Sequence, residues 1–371
     1  MKPRKKPIPR DKNSFCSAAL QLLAGSQGSQ VQTRSLALQK DAAARPDRRR
    51  IRWNMGPCQH NTWVLALAQL DLEAEVDSLR QWRGFQIGSN CFIVRMNVEF
   101  CHDKHQLAKV LQEVPSAAGW VPETYLSIED FVNSGQHEGT SSWFLKISDV
   151  DYGCGVRSFR CPVQREELRQ LLELSRLEAQ QALGQLRRAK GCKPRELGDQ
   201  IVIQKAIKTF GQVNYDQGFP GLHYKEDLRV YVCCSVNLPH QVFVYRRLGL
   251  RRAPKPLDGT LDREVQCTHY GHITPSESVT EWPLYDVMFP QICEAVKNVM
   301  TVVTPELEDR CCVLLGMDFI CDDRPYLLEI NQVPRLCYDD PRVQAWTQRM
   351  AVEFLRLVVL GSVETNGWVR L

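Results

Sequence analysis

Apolar positions follow two periods along this chain, one typical of strands and one typical of helices. Residues 316–331 contain two apolar runs on either side of the polar turn 322–325, and this pattern predicts a β-hairpin. Alternation over residues 227–233 predicts another strand. Leucines and alanines between residues 162 and 190 recur near helical spacing amid Glu, Arg and Gln, which predicts one long amphipathic helix. The two periods together predict a mixed α/β (α+β) chain.

The last strand of the hairpin carries polar side chains on one face. Because side chains alternate along a strand, Glu329 and Asn331 project to one side, and Leu328 and Ile330 project to the other. Asp318 on the partner strand can supply a third oxygen ligand. Carboxylates and carboxamides suit Mg²⁺, so the hairpin is a candidate metal site. A buried strand with a polar edge is the alternative.

The strand at residues 227–233 also has two unlike faces. Asp227, Arg229 and Tyr231 share one face, and the other face is apolar, with Leu228, Val230 and Val232. An Asp and an Arg two residues apart on a strand could form a structural salt bridge, which is the favoured account when the strand is considered by itself.

A glycine-containing loop follows a predicted strand that ends at Lys146. Gly153 and Gly155 would let backbone N–H groups approach phosphate oxygens, and a preceding lysine would neutralise phosphate charge. Asp149 and Asp151 in the same loop would repel phosphate. A tight turn between strands is the alternative.

Helical periodicity leaves one further choice open. The helix at residues 162–190 either packs on its own domain or forms a coiled-coil segment for a partner. A second helix, near the C-terminus, is predicted to pack on the core through apolar positions at helical spacing, namely Trp346, Met350, Phe354 and Leu357.

Composition restricts the class of protein. A chain of 371 residues can form two or three domains. No apolar run approaches the roughly 20 residues needed to span a bilayer, so we expect a soluble protein with no membrane partner. The 15 cysteines include no C-x-x-C pair, which favours reduced cytosolic thiols, and the eight histidines form no H-E-x-x-H zinc motif.

Charge is concentrated at the N-terminus. Residues 1–55 contain 13 Lys and Arg against 3 Asp and Glu, a balance of +10, whereas the rest of the chain has 34 against 40, a balance of −6. Residues 1–50 lack a long apolar face and are predicted to be a disordered tail. This tail could be solvated without a specific role, could direct the protein to an organelle, or could attract an acidic partner such as an acidic protein segment or nucleic acid.

Several stretches, in order, resemble the tubulin tyrosine ligase-like family of ATP-grasp ligases. Residues 316–336 resemble its G-x-D-F strand and its [LV]-E-[IV]-N-x-x-P-x-L strand. Four earlier stretches are similar to family motifs, namely W-V-P-E-T-Y at 120–125, W-F-L-K at 143–146, I-Q-K-A-I at 203–207 and K-E-D-L-R-V-Y-V at 225–232. Ordered agreement over residues 90–360 is more specific than any single motif.

This resemblance implies an ATP-grasp fold and a division of the chain. Residues 51–119 would form a small N-terminal α/β domain, residues 120–206 the central domain, and residues 207–371 a C-terminal mixed-sheet domain with the metal site and a terminal helix. The implied activity is an ATP- and Mg²⁺-dependent ligase. It would join tyrosine, glutamate or glycine to a protein carboxylate through an acyl phosphate, and tubulin or another acidic protein would be the substrate.

The resemblance also implies a role for each matching residue. Asp318, Glu329 and Asn331 would hold Mg²⁺, Arg229 would meet the γ-phosphate, and Arg251 rather than Arg252 would be the second catalytic arginine. Residues that would bind ATP are Lys104, Lys146, Gly153, Gly155, Gln204, Lys205, Ala206, Ile207, Lys225 and Asp227. A free amino acid is the other substrate, nucleic acid is not expected, and the implied location is the cytoplasm, at microtubules or cilia.

Some residues depart from the family pattern. His269-Tyr270-Gly271-His272 stands where the family has H-L-T-N, so the Thr-Asn pair is missing, and Ala206 replaces a common aromatic residue. Two alternatives therefore stay open. One is an ATP-grasp ligase that acts on another peptide, and the other is a catalytically weak nucleotide- or tubulin-binding protein of the same fold.

Overall fold

The computed structural model describes most of the chain after residue 49. The described residues are 50–54, 60–70, 73–76, 84–87, 90–93, 101, 103–148, 150, 155–189, 197–209, 216, 218, 221–234, 241–268, 273–276, 282–306, 312–332, 334–336, 340–359 and 367–371. The predicted basic tail lies outside the described residues except for Arg50, which begins the first strand.

The N-terminal part contains a four-stranded sheet. Its strands, in the spatial order β2-β1-β3-β4, are β1 (Arg50–Asn54), β2 (Glu73–Val76), β3 (Gly84–Ile87) and β4 (Asn90–Ile93). Helix α1 (His60–Gln69) joins β1 to β2, which run parallel. Trp63 of this helix packs edge-on against Phe354, so the N-terminal part is attached to the end of the chain.

A second four-stranded sheet is antiparallel and has one apolar face. In chain order its strands are β5 (Thr124–Tyr125), β6 (Ser142–Ile147), β7 (Val156–Arg160) and β8 (Ile201–Lys205). Trp143, Leu145 and Ile203 on this face pack against Phe131 and Leu168, which belong to helices. The helices of this region are α2 (Lys104–Glu113), α3 (Pro115–Ala118), α4 (Ile128–Asn133) and α5 (Arg165–Ala189).

A seven-stranded sheet is built around β9 (Glu226–Cys234). One edge of β9 pairs with β13 (Val313–Cys321), which continues into β14 (Pro325–Asn331). The other edge pairs with β11 along its first half and with β10 along its second half. The remaining elements are β10 (Val242–Tyr245), β11 (Leu248–Arg252), α6 (Arg263–Gln266), β12 (Ile273–Ser276), α7 (Tyr285–Val303), α8 (Pro341–Val359) and β15 (Trp368–Arg370).

The two faces of this sheet bury two separate cores. Leu228, Val230 and Val232 of β9 pack in a core with residues of α7. Tyr231, on the opposite face, packs in a core with α8 and α1. The predicted alternation of β9 is therefore confirmed. Asp227 and Arg229 share the face of Tyr231 but belong to neither core, so this end of the sheet is polar.

The predicted hairpin is present, with a β-bulge that the alternation did not predict. Asp318 pairs with Glu329, and the next residue of β13, Phe319, pairs with Leu327, so Leu328 is an extra residue in β14. Leu327 and Ile330 are both buried in the core beside α7. The prediction that Leu328 shares the face of Ile330 is therefore wrong, because the bulge turns Leu328 out of that core.

The two predicted helices are confirmed. Helix α5 spans 25 residues and buries Leu168 and Ala182, whereas Leu177 is 55% exposed, so its apolar stripe is narrower than the sequence predicts. Helix α8 buries Trp346, Met350 and Phe354 as predicted.

No helix in the described part of the chain is both long enough and apolar enough to cross a membrane.

Candidate functional site

Four charged residues form a buried network at the polar end of the large sheet. Arg229 of β9 donates from Nε and Nη2 to the two carboxylate oxygens of Asp318 on β13, and the Nη2–Oδ2 distance is 2.9 Å. Arg251 of β11 donates to Asp227 Oδ1 at 2.5 Å and Oδ2 at 2.9 Å. Arg251 Nη2 also lies 3.0 Å from Asp318 Oδ2, which joins the two pairs. The antiparallel register explains this arrangement, since Asp318 lies opposite Arg229 and Asp227 lies opposite Arg251.

The network is nearly closed to water. Asp318 is 1% exposed, and burial raises the pKa of its carboxyl to about 6, although the charges of Arg229 and Arg251 act in the opposite direction. Asp318 is therefore still ionised at pH 7. The two arginines and two aspartates balance in charge, and bidentate pairing gives each guanidinium a defined orientation.

The geometry distinguishes Arg251 from Arg252, its alternative in the sequence. Arg251 is buried in the network, whereas the Arg252 side chain is 51% exposed and pairs with Glu226. Thr268, which the sequence analysis missed, also reaches the site, because its hydroxyl donates to Asp227 Oδ2. Little in the sequence indicates a role for Thr268, because it stands one residue before His269, where the chain departs from the family's H-L-T-N motif.

The three candidate metal ligands come together beside this network. Asn331 Nδ2 lies 3.3 Å from Asp318 Oδ2 and 3.1 Å from Glu329 Oε1, so two carboxylates and one carboxamide converge. Asn331 meets both carboxylates with its NH2 group, so it would have to turn its amide to offer Oδ1, after which the three oxygen donors fit Mg²⁺. Within the described residues no three His, Cys, Asp or Glu side chains form a group that could hold a metal.

Lys104 reaches the same place from helix α2. It is the first residue of this helix, whose N-cap is Asp103. Lys104 Nζ donates to the carbonyl of Val150 at 3.0 Å and lies 3.9 Å from Glu329 Oε2. The side chain is therefore directed to the candidate site, which distinguishes it from an exposed lysine of a first turn.

Lys146 lies on the polar face of the central sheet. Its ammonium donates to Gln204 Oε1 at 2.6 Å, and Gln204 Nε2 donates to the hydroxyl of Thr124 at 3.2 Å. Burial lowers the pKa of Lys146 to about 8, although the charge of Glu329 acts in the opposite direction. A buried cation of this kind can bind an anion strongly, because little water screens it.

Lys225 precedes β9 and is also buried. It donates to the carbonyl of Ile207 at 3.1 Å, and its ammonium lies 5.2 Å from the ring centre of Phe144. Burial lowers its pKa to about 8, and the nearby Lys146 acts in the same direction. The site therefore contains two lysines that hold their protons less firmly than usual.

A cleft of about 340 Å³, which includes space open to solvent, separates the central sheet from the hairpin β13–β14. It is mostly apolar, with cationic and amide groups at a few positions. The lining residues are Lys104, Leu107, Ala108, Leu111, Val121, Thr124, Lys146, Val202, Gln204, Leu327 and Leu328. An apolar cleft with a few convergent polar groups is typical of a small-molecule site.

One predicted nucleotide residue, Lys205, has its side chain on the face opposite the cleft, and the next two residues show only backbone contacts. Lys205 Nζ lies 2.9 Å from Glu123 Oε2 and 5.8 Å from the ring centre of Trp143, on the sheet face opposite Lys146. Ala206 contributes its N–H to the carbonyl of Ser142 at 2.9 Å. The carbonyl of Ile207 accepts from Lys225. An adenine contact through backbone groups at these positions stays a prediction.

The glycine loop is described only in part. Gly155 has φ of 71°, and a β-carbon there would lie 3.1 Å from Ile147 Cδ1 and 3.3 Å from Ala179 Cβ. Gly155 is thus packed between strand and helix, as a tight turn requires. Gly153, Asp149, Asp151 and the segment 269–272 lie outside the described residues, so their predicted roles stay predictions.

Comparisons with known proteins show a low and partial sequence similarity. No protein-family model matches the chain. The chain is 24% identical over 177 residues to probable tubulin polyglutamylase TTLL2 from Homo sapiens. That match covers 39% of this chain but only 29% of the human protein. Over part of its length, therefore, the chain is similar to a member of the tubulin tyrosine ligase-like group to which its motifs point.

Proposed function

We propose that the chain is an ATP-grasp ligase that uses ATP and Mg²⁺ to join an amino acid to a protein carboxylate. The observation that supports this most directly is the position of Asp318. It is held by two arginines and lies beside Glu329 and Asn331, at the edge of an apolar cleft that contains Lys146. A candidate phosphate site, a candidate metal site and an apolar cleft then adjoin one another.

In this proposal ATP lies in the cleft between the central sheet and the hairpin. Leu107, Val202 and Leu327 supply apolar walls for the adenine ring. Lys146 and Lys225, both buried, face the phosphates as cations. The proposed domains are a small N-terminal domain at 51–119, a central domain at 120–206 and a C-terminal domain at 207–371, and residues of all three line the cleft.

Asp318, Glu329 and Asn331 would hold the Mg²⁺. The ion supplies charge neutralisation between phosphate oxygens when it is bound. Asn331 contributes a neutral oxygen, and because Arg229 and Arg251 already balance Asp227 and Asp318, bound Mg²⁺ would leave the site with a net positive charge that favours phosphate. Lys104, 3.9 Å from Glu329, orients that carboxylate from the other side of the cleft.

The chemistry starts from the poor reactivity of a carboxylate, which is anionic and therefore a weak electrophile. A carboxylate oxygen attacks the γ-phosphorus, the bond from that phosphorus to the bridging oxygen breaks, and ADP leaves. Arg229 and Arg251 offset the negative charge that develops on the transferred group. The amine of the amino acid then attacks the acyl carbon, phosphate leaves, and the nitrogen loses a proton to give the amide.

Tubulin is the protein substrate that we propose. The partial match to a tubulin polyglutamylase supports this choice, and it makes glutamate the first amino acid to test, before tyrosine and glycine. A protein that modifies tubulin would act in the cytoplasm, at microtubules or cilia.

A catalytically weak nucleotide-binding protein of the same fold is the second candidate. The specific observation that favours it is the position of Lys205, whose ammonium is held by Glu123 on the face opposite the cleft. An ATP-grasp ligase that acts on another peptide would share the same nucleotide and metal residues.

One experiment separates these three functions. Purified protein is incubated with ATP, Mg²⁺, tubulin and radiolabelled glutamate, tyrosine or glycine, and both ATP affinity and incorporated label are measured. Label in tubulin supports the proposal, and label only in added peptides supports a ligase with another substrate. ATP binding without any incorporation supports the binding protein.

Glu329→Gln tests the metal site in the same assay. We expect it to weaken Mg²⁺-dependent ATP binding and to abolish incorporation, because a neutral amide replaces one of two carboxylate ligands. Glu294→Gln, at an exposed position on α7, is the matched control and should behave as wild type. Unchanged binding and turnover in Glu329→Gln would show that the metal assignment is wrong.

A further inference from the structure

Gly316 lies on β13, the strand between β9 and β14. It pairs with Tyr231 of β9 on one side and with Asn331 of β14 on the other. Asp318, two residues later on the same face of the strand, is the carboxylate to which Arg229 donates. The side chain of Arg229 crosses from β9 to β13 and passes over Gly316 to reach Asp318.

Gly316 makes that crossing possible. A β-carbon at position 316 would lie 3.0 Å from Arg229 Nη1 and 3.1 Å from Arg229 Cδ. It would also lie 2.8 Å from Cβ of Pro334, which is closer than side chains approach in folded proteins. Any residue other than glycine must therefore displace Pro334, and it also presses on the Arg229 side chain.

The segment that contains Pro334 is firmly attached on its C-terminal side. The hydroxyl of Tyr231 donates to the carbonyl of Arg335 at 2.9 Å. The carbonyl of Leu336 accepts from the hydroxyls of Thr62 at 3.0 Å and Thr347 at 2.8 Å. Movement of Pro334 would strain these hydrogen bonds.

Of the two neighbours, Pro334 contacts position 316 through its rigid ring, whereas Arg229 has the flexible side chain. Its backbone is held in β9, but its side chain can turn about several single bonds, and a small rotation moves the guanidinium away from Asp318. A second arginine, Arg251, also lies on Asp318, so this carboxylate keeps one cationic partner when Arg229 turns.

We propose that Gly316 is a positioning residue for Arg229. The absence of a side chain at 316 lets the guanidinium lie across β13 with Nε and Nη2 on Asp318. The consequence for turnover rests on the proposed function, in which Arg229 acts on the γ-phosphate, whereas the steric relation of Gly316 to Arg229 does not.

Gly316→Ala tests the consequence for turnover. We expect kcat for ATP-dependent incorporation to fall about 100-fold, the size of effect that a misplacement of about 1 Å produces, with a much smaller change in the Kd of ATP. Gly198→Ala is the matched control, because a β-carbon there meets nothing within 4 Å, and it should keep the wild-type kcat. A wild-type kcat in Gly316→Ala would overturn the proposal.

A thermal-stability cycle tests the steric relation without any need for activity. Gly316→Ala should lower Tm in the wild-type background and should lower it by clearly less in the Arg229→Ala background, where only the contact with Pro334 remains. An equal loss of Tm in the two backgrounds would overturn the proposal.

A crystal structure of Gly316→Ala decides the matter if Arg229→Ala does not fold. A guanidinium displaced from Asp318 supports the proposal, and a displaced Pro334 with Arg229 in place contradicts it. If the wild-type protein binds ATP but shows no ligase activity, the proposed function fails, while the stability cycle and the crystal structure still test Gly316.

Discussion

Two kinds of cation occur in the candidate site, and they hold their charge differently. Arg229 and Arg251 are planar guanidiniums that bind carboxylates with two nitrogens each. Lys146 and Lys225 are ammoniums whose pKa burial lowers to about 8. At the scale of residues, the arginines provide orientation and the lysines provide charge that depends on pH.

Arg229→Lys is predicted to abolish turnover while the fold stays intact. A lysine keeps the positive charge but lacks the planar fork that meets Asp318 with two nitrogens. Incorporation kinetics and Tm are measured in parallel with Arg252→Lys, an exposed control. An equal loss of Tm and of activity would favour a purely structural salt bridge.

The buried lysines predict that Mg·ATP affinity decreases as the pH rises through about 8. Below their pKa both ammoniums are charged and attract phosphate, and above it they become neutral. Lys146→Arg should make this decrease less steep, because arginine keeps its proton, and Lys109→Arg on the exposed side of α2 should not change it. Affinity that is constant from pH 7 to pH 9.5 would contradict the prediction.

At the scale of elements, strand alternation decides which side chains enter the cleft. Lys146 on β6 and Gln204 on β8 face the cleft together, so Lys205, the next residue, must face the opposite side. The I-Q-K-A-I motif suggested that both Gln204 and Lys205 act on the nucleotide. Consecutive side chains of a regular strand cannot both enter one cleft.

Helix α5 offers a direct test of which leucines contribute to folding. Leu168 is 0% exposed and Leu177 is 55% exposed, although both fit the helical period. Leu168→Ala should lower the free energy of unfolding by about 2–5 kcal/mol, because it opens a cavity in the central core. Leu177→Ala should change it by less than about 0.5 kcal/mol. Urea unfolding of both variants makes the comparison, and similar losses would show that Leu177 is covered in solution.

At the scale of the whole molecule, three sheets meet through long-range contacts. Trp63 packs on Phe354, and Leu327 donates its N–H to the carbonyl of Trp120 at 2.6 Å. The second contact lies at the wall of the cleft, so closure of the cleft depends on residues far apart in sequence. The basic N-terminal tail is a separate matter, since it lies outside the described residues.

Deletion of residues 1–49 is predicted to raise the apparent KM for tubulin and to flatten its dependence on salt. The deletion stops before Arg50, which begins β1. Residues 1–49 contain 11 Lys and Arg against 3 Asp and Glu, a balance of +8 against −4 for the rest of the chain, so the tail should attract an acidic protein. Attraction between exposed charges is screened over about 8 Å at physiological ionic strength, so ATP affinity should not change. Equal tubulin kinetics across a salt series would leave targeting, or no role, for the tail.

Much of the site was predictable because its residues follow local periods. Strand alternation placed Asp227 and Arg229 on one strand face, and each of them pairs with a residue of a neighbouring strand. The same alternation placed Asp318, Glu329 and Asn331 on one side of a hairpin, where Asn331 contacts both carboxylates. The cross-pairing of Arg251 with both Asp227 and Asp318 was not predictable, because it depends on the register of β9 with β11 and β13. Thr268 was missed because it lies outside any strand pattern and next to the segment that departs from the family motif.

The sequence by itself determined strands β9, β13 and β14, helices α5 and α8, and the two unlike faces of β9. These features follow from side-chain period and hydrophobicity within a few residues. Tertiary structure alone decided the bulge that moves Leu328 into the cleft, the pairing of Lys205 with Glu123, and the passage of Arg229 over Gly316. These features join residues that are distant in sequence or depend on the pairing of neighbouring strands. Register and packing set them, and a local pattern contains no information about either.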